Sequence, residues 1–210
     1  MKQENTRERI LDTALELFSE YGYDSVGVAE IAKTVGIKAP SLYNHFSGKQ
    51  AIFNAIVEST AAQYERDTDE IDIHVQSVER DIPIFNEISE DDLFVKVRAI
   101  FEYSLHDENV SRFRKMMTHE QFRSAELRSF YTARFVDRLV GYHSGIFKSL
   151  INSGEIVRAD PDALALMYVS PVITLIGICD REPEREAECL EKLRAHVHLF
   201  YSLVHSAKNT

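Results

Sequence analysis

The sequence predicts an all-α protein. Apolar residues recur at steps of three and four along most of the 210-residue chain, helix-start and helix-stop residues bound these stretches, and only 8 Gly and 5 Pro interrupt them. Hydrophobic residues make up 44% and charged residues 28%. That is ordinary globular usage and excludes a disordered or loop-rich chain.

Taken in order, Asn5 with Glu8 forms a capping box that opens helix 1, where Ile10, Ala14, Leu17, Phe18 and Tyr21 recur at helical spacing up to Gly22. Val28 to Val35 is a short second helix, stopped by Gly36 and followed by the apolar plug Ile37. Pro40 fits the first turn of a third helix reaching Phe46, because its missing N–H is no loss there. Ser47 with Gln50 reads as a second capping box, opening helix 4 with Ile52, Phe53, Ile56 and Val57 inward. Residues 67–90 give no clean period and are read as helix end plus connector.

Ser89 and Asp92 then start a helix marked by Leu93, Val97, Ile100, Phe101 and Leu105, and a short helix is expected around Val110 to Met117. Leu127, Tyr131, Phe135, Leu139, Tyr142, Ile146 and Leu150 trace one long stripe ending at Gly154. Asp160-Pro161 is a cap followed by a helix-starting proline, and it opens the apolar run Ala163 to Cys179, which Pro171 is positioned to kink. That run falls short of the ~20 residues of a membrane span. It is expected to be a covered helix, with no membrane involved. Leu190, Leu193, Val197, Phe200 and Val204 form a seam on the last helix, expected to be buried in a four-helix interface of two helices from each partner chain, with burial inside a single chain as the alternative.

Cys179 and Cys189 are too few for a disulfide framework, and Met1 to Ile10 carries no apolar signal region, so a cytoplasmic setting is expected. The net charge of −10 is uneven. Residues 1–50 hold six Lys/Arg against seven Asp/Glu, and the other 160 residues hold −9. Attraction to nucleic acid would therefore come from a local cluster such as Lys38 and Lys49.

Two short helices joined by a Gly-containing turn and braced by a longer first helix make a helix-turn-helix, whose second helix enters the DNA major groove. The segments Gly22-Tyr23, Val28-Ala29-Glu30-Ile31-Ala32, Gly36-Ile37 and Ser41-Leu42-Tyr43-Asn44-His45-Phe46-Ser47-Gly48-Lys49 resemble the tetracycline-repressor (TetR) family. The resemblance covers about 45 residues. It implies about nine helices in two domains, a DNA-binding domain over 1–50 and a ligand-binding and dimerisation domain over 51–210. It also implies a homodimer through the last two helices and, usually, repression relieved by a small-molecule effector. Two positions depart from the family pattern. Gly27 stands where a Ser or Thr often caps the second helix and touches phosphate, and Lys38 stands where a small capping hydroxyl is common.

The resemblance implies that Tyr43 sets its hydroxyl on a phosphate; Lys49 adds charge beside the N–H groups opening helix 4. Lys38, Ser41, Asn44 and His45 are base-edge candidates, and Ala39 or Pro40 is placed to touch a thymine methyl. A dimer presenting two such helices calls for double-stranded DNA with a palindromic operator. Ten of the 21 aromatic residues lie between Phe94 and Phe147. Phe101, Phe113, Met117, Tyr131, Phe135 and Tyr142 are the candidate lining for a largely apolar effector, although core packing explains such residues equally well.

No catalytic or metal motif survives inspection, and no cofactor is implied. Arg123 occupies the second-His position of a zinc-protease pattern that begins at His119-Glu120, and Ser144 sits on a helical stretch instead of a strand-turn elbow. A non-enzymatic, ligand-responsive regulator is the leading reading. The alternative is a helical small-molecule-binding protein, or an enzyme, without DNA binding.

Overall fold

The structure is a computed structural model that describes residues 5–70, 77–123 and 125–205. Among these residues there is no strand. The helices are α1 (Thr6–Tyr21), α2 (Val28–Val35), α3 (Ala39–Tyr43), α4 (Lys49–Glu70), α5 (Val78–Glu87), α6 (Glu90–His106), α7 (Glu108–Glu120), α8 (Ala125–Thr132), α9 (Arg138–Ser153), α10 (Pro161–Arg181) and α11 (Glu186–His205). A π-helical stretch, Ala133–Asp137, joins α8 to α9, and a 3-10 turn, Pro183–Arg185, precedes α11. The excess over nine has two sources. α5 forms inside the aperiodic connector, and the π stretch splits one long helical run. Part of that connector, residues 71–76, lies outside the described residues.

The chain forms two compact units, one made of 1–64 with 107–129 and the other of 65–106 with 130–210. In the first, Asn5 caps α1 through a complete box with Glu8, and its carboxamide accepts from the Arg7 N–H at 3.2 Å. Ile10, Ala14 and Phe18 are fully buried on one face of α1. Gly36 ends α2 at φ +81, in the left-handed region where glycine carries no Cβ penalty. α7 joins this unit by packing along α1. Asp107 caps it by accepting from the Val110 N–H at 2.9 Å, and Phe113, Met116 and Met117 are buried.

The second unit has one core, contributed by α6, α9, α10 and α11 with α5 packed against it. Ser89 caps α6 by accepting from the Asp92 N–H at 3.1 Å, and Asp160 caps α10 by accepting from the Ala163 N–H at 2.8 Å. Tyr142, Phe147, Tyr168 and Phe200 form an aromatic cluster, with Phe147 edge-on to Tyr168 at 5.7 Å. Glycine at 145 lets α5 approach α9 closely, since a Cβ there would stand 3.0 Å from Val78.

Three expectations are corrected. The stripe from Leu127 to Leu150 is broken in register by the π stretch, because each π turn holds an extra residue. Tyr142, Ile146 and Leu150 are buried beyond it, whereas Tyr131 and Phe135 before it and within it are only partly so. The seam on α11 is closed within the chain, with Leu193, Val197, Phe200 and Val204 each at most 4% exposed. α10 is apolar enough in length and composition to cross a membrane, yet one face packs into the core. Its other face is not covered by the described residues, and Leu166, Met167 and Ile173 are 42–51% exposed.

Candidate functional site

α2, its turn and α3 form a helix-turn-helix in which apolar anchors hold one face and polar residues occupy the other. Leu42 is fully buried and Phe46 nearly so, which fastens the C-terminal end of α3 to the unit. Pro40 stands in the first turn, and the Lys38 carbonyl receives the Ser41 N–H at 2.9 Å. The α3 helix ends at Tyr43, short of the expected Phe46. Leu42 O accepts from both the His45 and Phe46 N–H groups, so the last turn tightens and swings Phe46 under the helix. Lys38, Pro40, Ser41, Tyr43, Asn44 and His45 are exposed, Tyr43 at 55%, and Ala39 is half-buried.

The α2 and α3 starts lack side-chain caps, since Gly27 has no side chain and Lys38 makes no capping bond. Other contacts fix the frame. The Arg9 guanidinium donates to Val35 O, placing a cation at the C-terminal end of α2 where the helix dipole favours it. Arg7 lies over the Phe46 ring at 5.0 Å.

Lys49 behaves differently from a free surface cation. Its ammonium donates to Tyr23 O at 2.8 Å and Val26 O at 2.9 Å, and lies 4.3 Å from the Tyr23 ring centroid. Arg123, from beyond the end of α7, also lies over the Tyr23 ring, at 4.2 Å. Its guanidinium pairs with Asp24 at 2.6 Å, and the buried Glu120 carboxylate accepts the Tyr23 N–H at 3.0 Å. Gln50 does not reach back to Ser47 as the capping box required. Its carbonyl accepts from the Tyr23 hydroxyl at 3.1 Å and its amide donates to Asn54 at 2.9 Å. The turn before α2 is thus gripped from α4 and from α7, a role for Tyr23, Glu120 and Arg123 that no local sequence pattern signals.

The six candidate ligand residues divide between the units. Phe113 and Met117 belong to α7 in the first; Phe101, Tyr131, Phe135 and Tyr142 belong to the second. Phe101, Phe113, Met117 and Tyr142 are packed in the cores, and the Tyr131 and Phe135 rings lie 4.9 Å apart, tilted by 37°. The Tyr142 hydroxyl donates to the buried Asp81 carboxylate. Burial and this negative neighbour push the Tyr142 phenol upward. Burial pushes His143 down to about 4 despite its Nδ1–H bond to Leu139 O at 2.9 Å, so the ring is neutral between Tyr142 and Tyr168.

A cleft of about 330 Å³, counting its open mouth, lies elsewhere in the second unit, and none of the six lines it. Phe85, Leu93, Phe147, Tyr168, Phe200 and Tyr201 form most of its wall. Phe85 comes from α5, in the stretch where the sequence shows no periodicity. Among the described residues, no cluster of His, Cys, Asp and Glu is arranged to hold a metal.

An exposed recognition helix on apolar anchors, joined to a larger helical unit with its own core, defines a helix-turn-helix protein of two units. Residues 10–56, the helix-turn-helix segment, match the family described as bacterial regulatory proteins, tetR family. The negative transcriptional regulator IcaR of the biofilm operon icaADBC in Staphylococcus aureus (strain Newman) is 46% identical over 52 residues. That match spans 25% of this chain and only 28% of IcaR. Likeness of fold extends further. A chain from Mesorhizobium loti MAFF303099, assigned to the TetR family of transcriptional regulators, matches with TM-score 0.68 and 22% identity over 98% of this chain and 99% of its own. SmeT, in its complex with triclosan, matches with TM-score 0.66 and 23% identity over 90% of each chain.

Proposed function

We propose that the protein is a non-enzymatic transcriptional regulator, a repressor released from a palindromic operator by a small, largely apolar molecule. The observation that carries the reading is the polar face of α3, with Tyr43, Asn44 and His45 exposed while Leu42 and Phe46 are buried. Lys38, Ser41, Asn44 and His45 read base edges, Ala39 and Pro40 meet a thymine methyl, and the Tyr43 hydroxyl sits on phosphate. Lys49 acts on DNA through the turn it holds, together with the charge it brings to the start of α4. The residues that touch DNA lie in a module within 1–50, and 51–210 carries effector binding and dimerisation.

Two copies pair through α10 and α11. Support comes from the apolar side chains these helices leave exposed, Leu166, Met167 and Ile173 on α10 and Leu199 and Leu203 on α11. The seam Leu193 to Val204 serves the core of each copy. The effector enters at the narrow cleft beside Phe85, Phe147 and Tyr168, whose apolar wall suits an aromatic or aliphatic group. That the structural relative SmeT forms a complex with triclosan supports an apolar ligand.

Selection of random duplexes by the purified protein tests the reading. The expected result is an enriched inverted repeat whose half-sites lie about 34 to 36 Å apart or more, with affinity falling steeply as salt rises. Recovery of no enriched sequence would overturn it. Leu199→Glu combined with Leu203→Glu should shift the protein from dimer to monomer in sedimentation, and an unchanged dimer would remove α11 from the interface.

A further inference from the structure

The sequence sets the two cysteines ten residues apart, at the end of one helix and the start of the next, with no pattern linking them. The fold brings them together. Cys179 lies in the last turns of α10 and Cys189 in the first turn of α11, and the helix hairpin around Pro183–Arg185 folds one back on the other. Both are buried in the second core, Cys179 5% and Cys189 0% exposed, and both are free thiols. Both belong to the same buried cluster at the closed end of the hairpin.

We infer that Cys179 and Cys189 form a reversible dithiol/disulfide site, oxidised by a small neutral peroxide. One sulfur, as thiolate, attacks a peroxide oxygen. An S–O bond forms, the O–O bond breaks, and the hydroxide released takes up a proton to leave as water. The second sulfur, losing its proton, then attacks the sulfenic sulfur. The S–S bond forms, the S–O bond breaks, and a second water departs. Two thiols lose two electrons and two protons, and hydrogen peroxide is reduced to two waters.

The surroundings select the oxidant. Residues 180–191 carry six acidic side chains (Asp180, Glu182, Glu184, Glu186, Glu188, Glu191) against Arg181 and Arg185. Arg185 is already paired with Glu182 at 2.8 Å and Glu188 at 2.9 Å. An anionic disulfide such as oxidised glutathione is repelled from this end of the hairpin, whereas uncharged hydrogen peroxide, little larger than water, is not. Burial, the neighbouring sulfur and the charges of Glu186 and Asp180 push the Cys179 thiol up to about 12. Oxidation is therefore slow at neutral pH and accelerates as pH rises, since only thiolate is nucleophilic.

The test treats the folded full-length protein with hydrogen peroxide, or with oxidised glutathione, and then alkylates and digests it. Trypsin cuts after Arg181 and Arg185, so a disulfide appears as a cross-linked pair, peptide 159–181 with peptide 186–192. It is two hydrogens lighter than the sum of the two reduced peptides and is separated by reductant. The expected result is this species from peroxide, at least tenfold faster than from glutathione disulfide at equal concentration, with a rate rising from pH 7 to 9. Cys189→Ser should abolish it and leave Cys179 as thiol or sulfenic acid. Cys189→Ala, which keeps the site small and apolar, guards against loss through misfolding, and far-UV circular dichroism reports folding for both. Full alkylation of both cysteines after peroxide, a covalent bond between two chains, or a glutathione adduct as the sole product would each overturn the inference.

Discussion

Gly27 offers a substitution whose effect can be worked from the structure. It caps α2 at φ −98 and ψ 155, extended backbone that any residue adopts, and a Cβ built there meets nothing within 4 Å. Its carbonyl already accepts from the Glu30 and Ile31 N–H groups, both at 3.1 Å, but no side chain serves the N–H groups of the first turn. In Gly27→Ser the hydroxyl can accept from the first-turn N–H groups, which is worth a few tenths of a kcal/mol over glycine at this position. Restricting the unfolded chain adds roughly 0.4 to 1 kcal/mol. The sum, about 0.5 to 1.5 kcal/mol, corresponds to a rise of roughly 1 to 6 °C in Tm for a chain of this size. Thermal and urea unfolding followed by far-UV circular dichroism measure it, with Gly27→Ala as control, because alanine restricts the chain but cannot cap. Serine should exceed alanine by about 1 kcal/mol. In operator binding the new hydroxyl should raise affinity a few-fold while leaving the salt slope unchanged, since a neutral donor releases no counterion. A serine variant no more stable than the alanine variant would refute the capping argument, and unaltered operator affinity would refute the orientation of α2 toward phosphate.

Other perturbations follow from the same geometry. Asn44→Ala should relax preference at one base pair of the selected operator by about 1 to 3 kcal/mol, whereas Tyr43→Phe should weaken binding to all duplexes alike; an unchanged selection profile would take Asn44 out of base reading. Lys49→Ala should lower thermal stability as well as DNA affinity, because it releases two carbonyls of the turn before α2; a loss of affinity alone would show that the ammonium matters only as charge. His143 is held neutral down to about 4, below its ordinary 6.5, so the stability it allows is complete above pH 6.5 and is lost as pH falls toward 4, when the unfolded chain gains a proton first. Urea titrations should show a loss of about 2 to 3 kcal/mol across that window that His143→Phe flattens, and equal slopes in both proteins would disprove it. Gly145→Val should cost about 1 to 3 kcal/mol by driving α5 off α9, and unchanged urea midpoints would show that Val78 yields freely.

Much of the helix layout was legible because its signals are local. The Asn5-Glu8 box, the left-handed Gly36 and the Asp160-Pro161 start each involve residues within a few positions of one another, and each appears where the spacing predicts. The recognition helix was legible for the same reason, Leu42 and Phe46 inward and the polar side chains outward. Relations between distant segments were not. Nothing in Glu120 or Arg123 announces Tyr23, almost a hundred residues earlier, as a partner. The seam on α11 had the same spacing whether closed by its own chain or by another. The aromatic residues between Phe94 and Phe147 divide, with Phe94, Phe101, Phe113, Tyr142 and Phe147 buried and Phe122 exposed, and the cleft wall drew on α5 and α11, segments outside that window.

The grip on Tyr23 also bears on how this protein is made. α7 lies about a hundred residues downstream of the helix it packs along, so the N-terminal unit cannot finish folding when its own helices leave the ribosome. At roughly 5 to 20 residues per second, several seconds of synthesis separate the emergence of α1 from that of Glu120. During that interval the apolar back of α1 has no cover from α7, and the proposed DNA-binding module is completed late in translation.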